Sequence, residues 1–454
     1  MTLELIVLLI FSFVLVLYGW AKSSEKKPHN FSTEKKQLNL WQTTFGVFSV
    51  VGGGEFIYVT ELSYQFGVFS CTLFLGFSIG CFLFLTLYKK VRQFNSYDWE
   101  KESKYDIHSI PDISFLYFNK VSSRISTVYM LLSLGALLLI QFALGGMMIE
   151  ILTGFPQAYS IVLMSVIVSI YTIGGGFKSV LATDIVQIVV LFIAFIIMCV
   201  FFEPNLITDF NQNLSIINQT AQVPDLKTLS VLIIGGICWV FGGSDIWLRI
   251  TSAKSNSIAK KSLIWNGIAL IIFGILVAIL GAKIAVANPN FEASNAFIET
   301  LNTINDNYLK IAVILGLFAG LVSTADTELH AISDILSKEL WRHENVAISV
   351  KRQRLTMVFV SIVTVIIAIV FKDVLIDVYL VLLNVFIILG SYMLMTLLKR
   401  GNNLTSIISL SLSGIILIYI AIYPPDNFLY ALLVALPPLV IMSFVKNQNA
   451  NKYE

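Results

Sequence analysis

Long apolar runs, separated by short polar stretches, make up most of this chain. Each run is close in length to the ~20 residues that a helix needs to cross the hydrocarbon core of a membrane. The pattern therefore predicts an all-α polytopic membrane protein with about 13 transmembrane helices. The runs lie at residues 3–20, 41–66, 68–88, 124–149, 157–176, 182–202, 227–248, 262–286, 309–336, 355–371, 374–398, 403–422 and 427–445.

The composition agrees with this pattern and narrows the functional classes. Of the 454 residues, 57% are hydrophobic and 13% are charged, and the mean hydropathy is +0.82. Soluble domains carry about 25% charged residues. No polar stretch is long enough for a second domain, and a net charge of +2 gives no indication of nucleic-acid binding. The four cysteines lie in apolar runs and are expected to be reduced core residues.

The distribution of basic residues predicts the orientation. If the N-terminus is outside, the loops and tail that face the cytoplasm hold 26 of the 30 Lys and Arg residues. This asymmetry follows the positive-inside rule and predicts a multi-pass protein of the plasma (inner) membrane with a cytoplasmic C-terminus. The first run is preceded by an acidic residue and followed by lysines, so we expect a retained helix rather than a signal peptide.

Two runs carry glycine clusters that predict broken helices. The second run contains three consecutive glycines at 52–54, followed by Glu55, and the seventh contains glycine pairs at 235–236 and 242–243. Counted from the second run, these are the first and sixth helices of a ten-helix set. Breaks at corresponding positions of two halves are typical of transporters built from inverted repeats, with the binding site at the midplane. The alternative is that the glycines only allow close helix packing.

The ninth long run, residues 309–336, carries a polar face. Gly320, Ser323, Thr324 and Thr327 lie at i, i+3, i+4 and i+7, so a helix presents them on one side, with Asp326 nearby. Hydroxyl, carbonyl and carboxylate oxygens are ligands for a small hard cation. The alternative is helix packing, which small and hydroxyl residues also support, although packing does not require a carboxylate.

Four segments, in order, resemble those of the sodium/solute symporter family. The order of the four is specific, and the resemblance extends over about residues 41–400. The segments are 110–116, with Pro111 and Asp112; 171–187, with Tyr171, Thr172, Gly174, Gly175, Thr183, Asp184 and Gln187; 249–255, with Arg249, Ala253, Lys254 and Ser255; and 323–327 with the basic end at 336–342.

The resemblance implies a fold and a first sodium site. The fold is a five-plus-five inverted repeat like that of the bacterial leucine transporter, occupying residues 41–400. An N-terminal helix and cytoplasmic loop at 1–40 precede it, and two helices with a short tail at 401–454 follow. The implied sodium ligands are the carbonyl groups of Phe48, Val51 and Gly320 and the hydroxyl groups of Ser323 and Thr324.

A second cation site or release path is implied at neighbouring positions. The matching residues are Asp184, Ser323, Asp326 and Thr327. The alternative for Asp184 is that it only caps the helix that follows a cytoplasmic loop.

The expected substrate site lies at the two helix breaks, at Gly52, Gly53, Glu55 and Trp239. Glu55 stands where relatives usually have a neutral polar group, so it would pair a substrate ammonium group, carry a coupling proton, or accept bonds from nearby backbone N–H groups. Trp239 matches a position that covers substrate in some relatives, and simple packing is the alternative.

These features together predict a secondary active transporter that couples the sodium gradient to import of a small organic solute, amine-bearing or zwitterionic. The alternatives are a proton-coupled symporter that uses Glu55 and a transport-inactive sensory relative. No nucleophile–base pair, phosphate-binding loop or metal-ligand cluster is evident, so the protein is not expected to be an enzyme. The expected partners are Na⁺ as the coupling ion, the solute and the bilayer; no cofactor and no other metal are expected, and the transporter is expected to function as a monomer.

Overall fold

The computed structural model describes residues 3–22, 36–52, 55–94, 109–201, 226–288, 290–292, 296–341, 350–372, 375–423 and 428–447. In these ranges the chain is helical, apart from turns and two isolated bridge pairs, Leu38–Ala253 and Arg400–Lys446. The helices are α1 (Leu3–Lys22), α2 (Leu40–Gly52), α3 (Glu55–Phe66), α4 (Thr72–Phe84), α5 (Tyr88–Phe94), α6 (Ile110–Tyr117), α7 (Lys120–Thr153), α8 (Gln157–Phe201), α9 (Leu226–Gly242), α10 (Ser244–Ser252), α11 (Asn256–Ala287), α12 (Ala296–Thr303), α13 (Asn307–Trp341), α14 (Val350–Phe371), α15 (Leu375–Leu397), α16 (Asn403–Ile422) and α17 (Leu436–Ile441); 3₁₀ turns occupy Gly67–Cys71 and Phe428–Ala435.

Seven helices in the described residues are long and apolar enough to cross a membrane. One of them, α8, contains two of the predicted runs, which meet at Gly176 with a non-helical backbone (φ 64°, ψ −164°). We call the parts before and after Gly176 the first and second arms of α8. Helices occupy each of the 13 apolar segments, but the number of membrane crossings stays a prediction.

The two glycine clusters coincide with helix ends. The first helix of the core ends at Gly52 and the next begins at Glu55, while residues 53 and 54 lie outside the described residues. In the seventh run the break lies at the second glycine pair: α9 ends at Gly242, α10 begins at Ser244, and their axes differ by 52°, whereas Gly235 and Gly236 lie within α9. Glycine is a poor helix former, which favours a break at such clusters.

Helix α13 lies at the centre of the molecule, packed against α2, α7, α8, α10 and α14. A second group forms around α4, which packs against α9 and α11. The start of α2 and the end of α10 are joined by backbone bonds: Leu38 N donates to the Ser252 carbonyl at 3.1 Å, and Lys254 N donates to the Leu38 carbonyl at 2.9 Å. Two segments far apart in sequence are thereby brought beside the polar face of α13.

Candidate functional site

The polar face of α13 meets α2. Ser323 and Thr324 are both fully buried, and the Thr324 hydroxyl donates to the Ser49 carbonyl at 2.8 Å and, at 3.4 Å, to the Gly320 carbonyl one turn back in its own helix. The carbonyl groups expected at this place were those of Phe48 and Val51, and nothing in the sequence indicated Ser49. An oxygen-rich contact between α2 and α13 therefore lies at the position of the expected first sodium site.

The other expected ligands of that site lie in the same helices. Phe48 is buried, and its ring packs against Phe192 and Phe273 at centroid distances of 5.2 and 5.3 Å. Val51 belongs to the last turn of α2, and its side chain is not described. Gly320 also has a packing role, because a Cβ there would lie 2.9 Å from the Leu191 side chain of α8.

Asp184 links α8 to two other helices. Ser323 donates its hydroxyl to Asp184 Oδ1 at 2.6 Å, and Arg249 Nη2 lies 3.6 Å from Oδ2. The capping alternative for Asp184 is wrong, because the second arm of α8 starts after Gly176 and Asp184 lies two turns inside it. The carboxylate is fully buried and forms tertiary contacts instead.

Arg249 connects three helices from a buried position. It is 1% exposed; its Nη2 donates to Thr327 Oγ1 at 2.6 Å, and its Nη1 donates to the Asp245 carbonyl at 3.2 Å. Helix α2 passes so close that a Cβ at Gly46 would lie 2.8 Å from Arg249 Nε. A buried guanidinium is retained only where acceptors surround it. Arg249 belongs to one of the four family-like segments, but nothing in the sequence indicates these contacts.

Asp326 faces the first arm of α8. The Tyr171 hydroxyl donates to Asp326 Oδ2, both side chains are fully buried, and Oδ1 has no hydrogen-bond donor within the part of the chain that the structure describes. Asp326 and Asp184 lie close enough for their carboxyl groups to interact electrostatically. The expected common point of the α13 face is therefore divided: Ser323 contacts Asp184, Thr324 contacts Ser49, and Thr327 contacts Arg249.

The expected substrate residues are only partly described. Gly52 ends α2, Gly53 lies outside the described residues, and Glu55 begins α3 with a side chain that is not described. Trp239 is fully buried, one turn before the bend at Gly243.

The indole of Trp239 lies among other aromatic rings. It stacks on Phe386 at 4.2 Å and meets the edge of Phe77 at 5.3 Å. Its Nε1–H finds no acceptor among the described residues. A buried N–H group usually has an acceptor, so this indole suits a bound ligand that supplies one.

Comparisons with known proteins agree with this architecture. The fold matches a Na⁺-coupled sialic acid symporter in a substrate-bound, outward-open state, with a TM-score of 0.78 and 18% identity over 98% of this chain and 97% of that one. It also matches a nucleobase-cation-symport-1 family transporter in a closed conformation, with a TM-score of 0.59 and 15% identity over 94% and 97% of the two chains.

Similar sequences are transporters rather than enzymes. A sodium/pantothenate symporter of Haemophilus influenzae is 24% identical over 57% of this chain and 55% of its own length. A putative sodium-dependent multivitamin transporter of Drosophila melanogaster is 21% identical over 58% of this chain and 44% of its own. The chain spans about half the length of these relatives. The model of the sodium:solute symporter family matches residues 31–399, most of the chain, and the protein therefore belongs to that family.

Proposed function

We propose that this protein is a sodium-coupled symporter that imports a small organic solute by alternating access. The observation that carries the proposal is the contact between α2 and α13, where the Thr324 hydroxyl meets the Ser49 carbonyl beside the Ser323–Asp184 bond. Hydroxyl, carbonyl and carboxylate oxygens from three helices converge there in a buried region, and sodium prefers such hard oxygen ligands. Family membership supports the same function.

The first sodium ion is proposed to bind where α2 ends against α13. Its ligands are the carbonyl groups of Phe48, Val51 and Gly320 and the hydroxyl groups of Ser323 and Thr324. When the ion is bound, the Thr324 hydroxyl turns its lone pairs toward it and exchanges its bond to Ser49 for an ion contact. An ion that ligates both helices stabilises the arrangement in which they touch, and this couples binding to conformation.

A second cation position, or a step on the release path, is proposed at Asp184, Asp326 and Thr327. Arg249 lies beside this group, with contacts to Asp184 and Thr327. A cation that enters the group competes with the guanidinium for the same oxygens. Binding of the ion then favours release of the Arg249 side chain from these oxygens.

The solute is proposed to bind at the helix breaks, near Gly52, Gly53, Glu55 and Trp239. The Nε1–H of Trp239 supplies a donor in an apolar aromatic surrounding, and Glu55 supplies a carboxylate for an amine. The protein is proposed to act as a monomer in the plasma membrane, with the N-terminus outside and the C-terminus in the cytoplasm.

The test is sodium-dependent thermal stabilisation of the purified protein, followed by a screen of candidate solutes with and without Na⁺. Ser323→Ala and Thr324→Ala should each raise the sodium concentration needed for half-maximal stabilisation, because each removes an ion ligand. Ser333→Ala is the matched control: it removes a buried hydroxyl of the same helix that donates to the His330 carbonyl. If both ligand variants keep the wild-type sodium dependence, the proposed first site is wrong.

A further inference from the structure

An apolar cavity lies between α7, α14, α15 and α16, and the residues that line it belong to none of the proposed ion or solute positions. Its volume is about 370 Å³, and its lining within the described part of the chain is wholly apolar. Helix α7 contributes Leu132 and Ala136, α14 contributes Phe371, and α16 contributes Leu417. Ligand pockets in proteins measure roughly 300–1,000 Å³, so this space is large enough to hold a ligand.

The fourth wall of the cavity is one face of α15. Val378, Val381, Leu382 and Val385 line it at i, i+3, i+4 and i+7, the spacing of a single helix face. The neighbouring face of the same helix packs on α9, where Phe386 stacks on the ring of Trp239. An occupant of the cavity therefore supports the helix that contacts the proposed solute site.

The cavity lies on a side of the protein that faces the bilayer. Three of its walls, α7, α14 and α16, are long and apolar enough to cross a membrane, and α14 and α16 bury only 33% and 28% of their most apolar stretch. The lining residues Leu132, Phe371 and Val381 are 54%, 44% and 42% exposed. Hydrocarbon therefore borders the opening of the cavity.

The lining selects the chemistry of the occupant. A water molecule needs polar partners, and an apolar cavity stays dry and takes up apolar molecules instead. An empty cavity is unfavourable, because the side chains around it lose dispersion contacts. Acyl chains are as apolar as leucine side chains, and they are the molecules next to the opening at this depth of the membrane.

We propose that the cavity binds one acyl chain of a membrane phospholipid. The cavity lies near the turn between α14 and α15, so the lipid comes from the outer leaflet in the proposed orientation. Charges of both signs lie in this turn and after it in the sequence, at Lys372, Asp373 and Asp377, so binding depends on the acyl chain and not on the headgroup. The site does not depend on sodium coupling, and the two proposals can fail separately.

The first experiment maps lipid contacts on the purified full chain in nanodiscs. The probe is phosphatidylcholine with a diazirine in the middle of one acyl chain, and mass spectrometry locates the cross-links after irradiation. Cross-links are expected at Leu382 and Leu417. These residues are only 1% and 8% exposed, so an acyl chain reaches them from within the cavity and not from the protein surface.

Two variants fill the cavity. Ala136→Phe acts from the wall and Leu132→Trp from the exposed rim, so the second remains testable if the first does not fold. Each should lose the cross-links at Leu382 and Leu417. Val128→Phe is the matched control and should keep them, because Val128 is 57% exposed on the same helix but does not line the cavity.

The second experiment measures stability in sodium-free buffer. Long-chain phosphatidylcholine added to protein delipidated in a short-chain detergent should raise the melting temperature. The two filling variants should melt higher than wild type without lipid and gain less from it, because the added ring replaces the acyl chain. Val128→Phe should respond to lipid as wild type does.

Three results would overturn the acyl-chain site. The first is the absence of cross-links at Leu382 and Leu417 in wild type, including the case in which native mass spectrometry shows a second copy of the chain covering the cavity. The second is equal labelling, or an equal gain from lipid, in wild type and both filling variants. The third is a gain that follows the charge of the headgroup and not the length of the acyl chain.

Discussion

At the scale of single residues, the site depends on buried polar groups whose partners come from other helices. Asp326 illustrates this, because Tyr171 donates to one of its oxygens while the other has no donor in the described part of the chain. Such a carboxylate is stable only if its remaining contacts are kept or a cation joins it. Its environment is therefore sensitive to the loss of one hydroxyl.

We predict that Tyr171→Phe destabilises the protein by about 1–3 kcal/mol, because it leaves a buried carboxyl oxygen of Asp326 without its donor. Tyr129→Phe is the control: the Tyr129 hydroxyl is also buried but donates to a neutral acceptor, the Leu410 carbonyl at 2.7 Å. Its loss should cost only about 0.5–1.5 kcal/mol. Thermal or denaturant unfolding in sodium-free buffer measures both, and equal losses would contradict the dependence of Asp326 on the Tyr171 hydroxyl.

Glu55 offers a second prediction at this scale, through Glu55→Gln. If the carboxylate pairs a substrate amine, the variant should lose transport of a cationic or zwitterionic solute while sodium-dependent stabilisation remains. If it carries a proton, the variant should lose the pH dependence of uptake and keep solute affinity. Uptake should be measured between about pH 5.5 and 8, around the range of shifted carboxyl groups. Near-wild-type uptake throughout would reject both roles.

At the scale of helices, close backbone contacts decide which elements pack together. Helix α9 lies against α4 and α15, and glycines form both contacts. A Cβ at Gly236 would lie 2.6 Å from the Leu73 carbonyl oxygen, and one at Gly390 would collide with the Cys238 carbonyl oxygen. These contacts hold the helix that carries Trp239, so the geometry of the proposed substrate site depends on them.

We predict that Gly390→Ala destabilises the protein by about 1–3 kcal/mol or more, because the methyl group meets backbone that cannot move independently. Gly135→Ala in α7 is the control, since a Cβ there would lie more than 4 Å from every other described part of the chain except the neighbouring backbone of its own helix. That change should be neutral or should stabilise by about 0.5–1 kcal/mol, because alanine favours helix over glycine. Melting temperatures of the two purified variants make the comparison, and equal effects would contradict the packing described here.

At the scale of the whole molecule, two groups of helices meet at the proposed ion positions. Helices α7, α8, α13 and α14 pack on one another, while α2, α3, α4 and α11 form the opposing group. The bonds from Thr324 to Ser49 and from Arg249 to Thr327 join α13 to α2 and to α10. Relative movement of the two groups must break the bond from Thr324 to Ser49, and ions that bind between the groups favour the closed arrangement.

The proposed orientation gives a prediction at the same scale. In a background without the native cysteines, Tyr308→Cys should react with a membrane-impermeant maleimide on intact cells, and Arg400→Cys should react only after permeabilisation. Both side chains are exposed, so a difference in labelling between the two cysteine variants would report the side of the membrane on which each residue lies. The reason is the concentration of basic residues in alternate loops. Labelling of Arg400→Cys on intact cells would reverse the assigned orientation.

The sequence by itself determined the features that depend on near neighbours in the chain. Apolar runs predicted the helices, glycine pairs predicted the bend between α9 and α10, and helical spacing placed Ser323, Thr324 and Thr327 on one face. Each of these features follows from the conformational preference of the backbone or from the 3.6-residue period of the helix. These two causes act within one segment and do not depend on distant parts of the chain.

Only the tertiary structure decided which groups meet. The partners Thr324 and Ser49 are 275 residues apart, and Ser323 and Asp184 are 139 apart. No local pattern distinguishes Ser49 from its neighbours in α2. Such pairings result from how the helices pack around α13, which depends on the side chains of the whole molecule and not on any one segment.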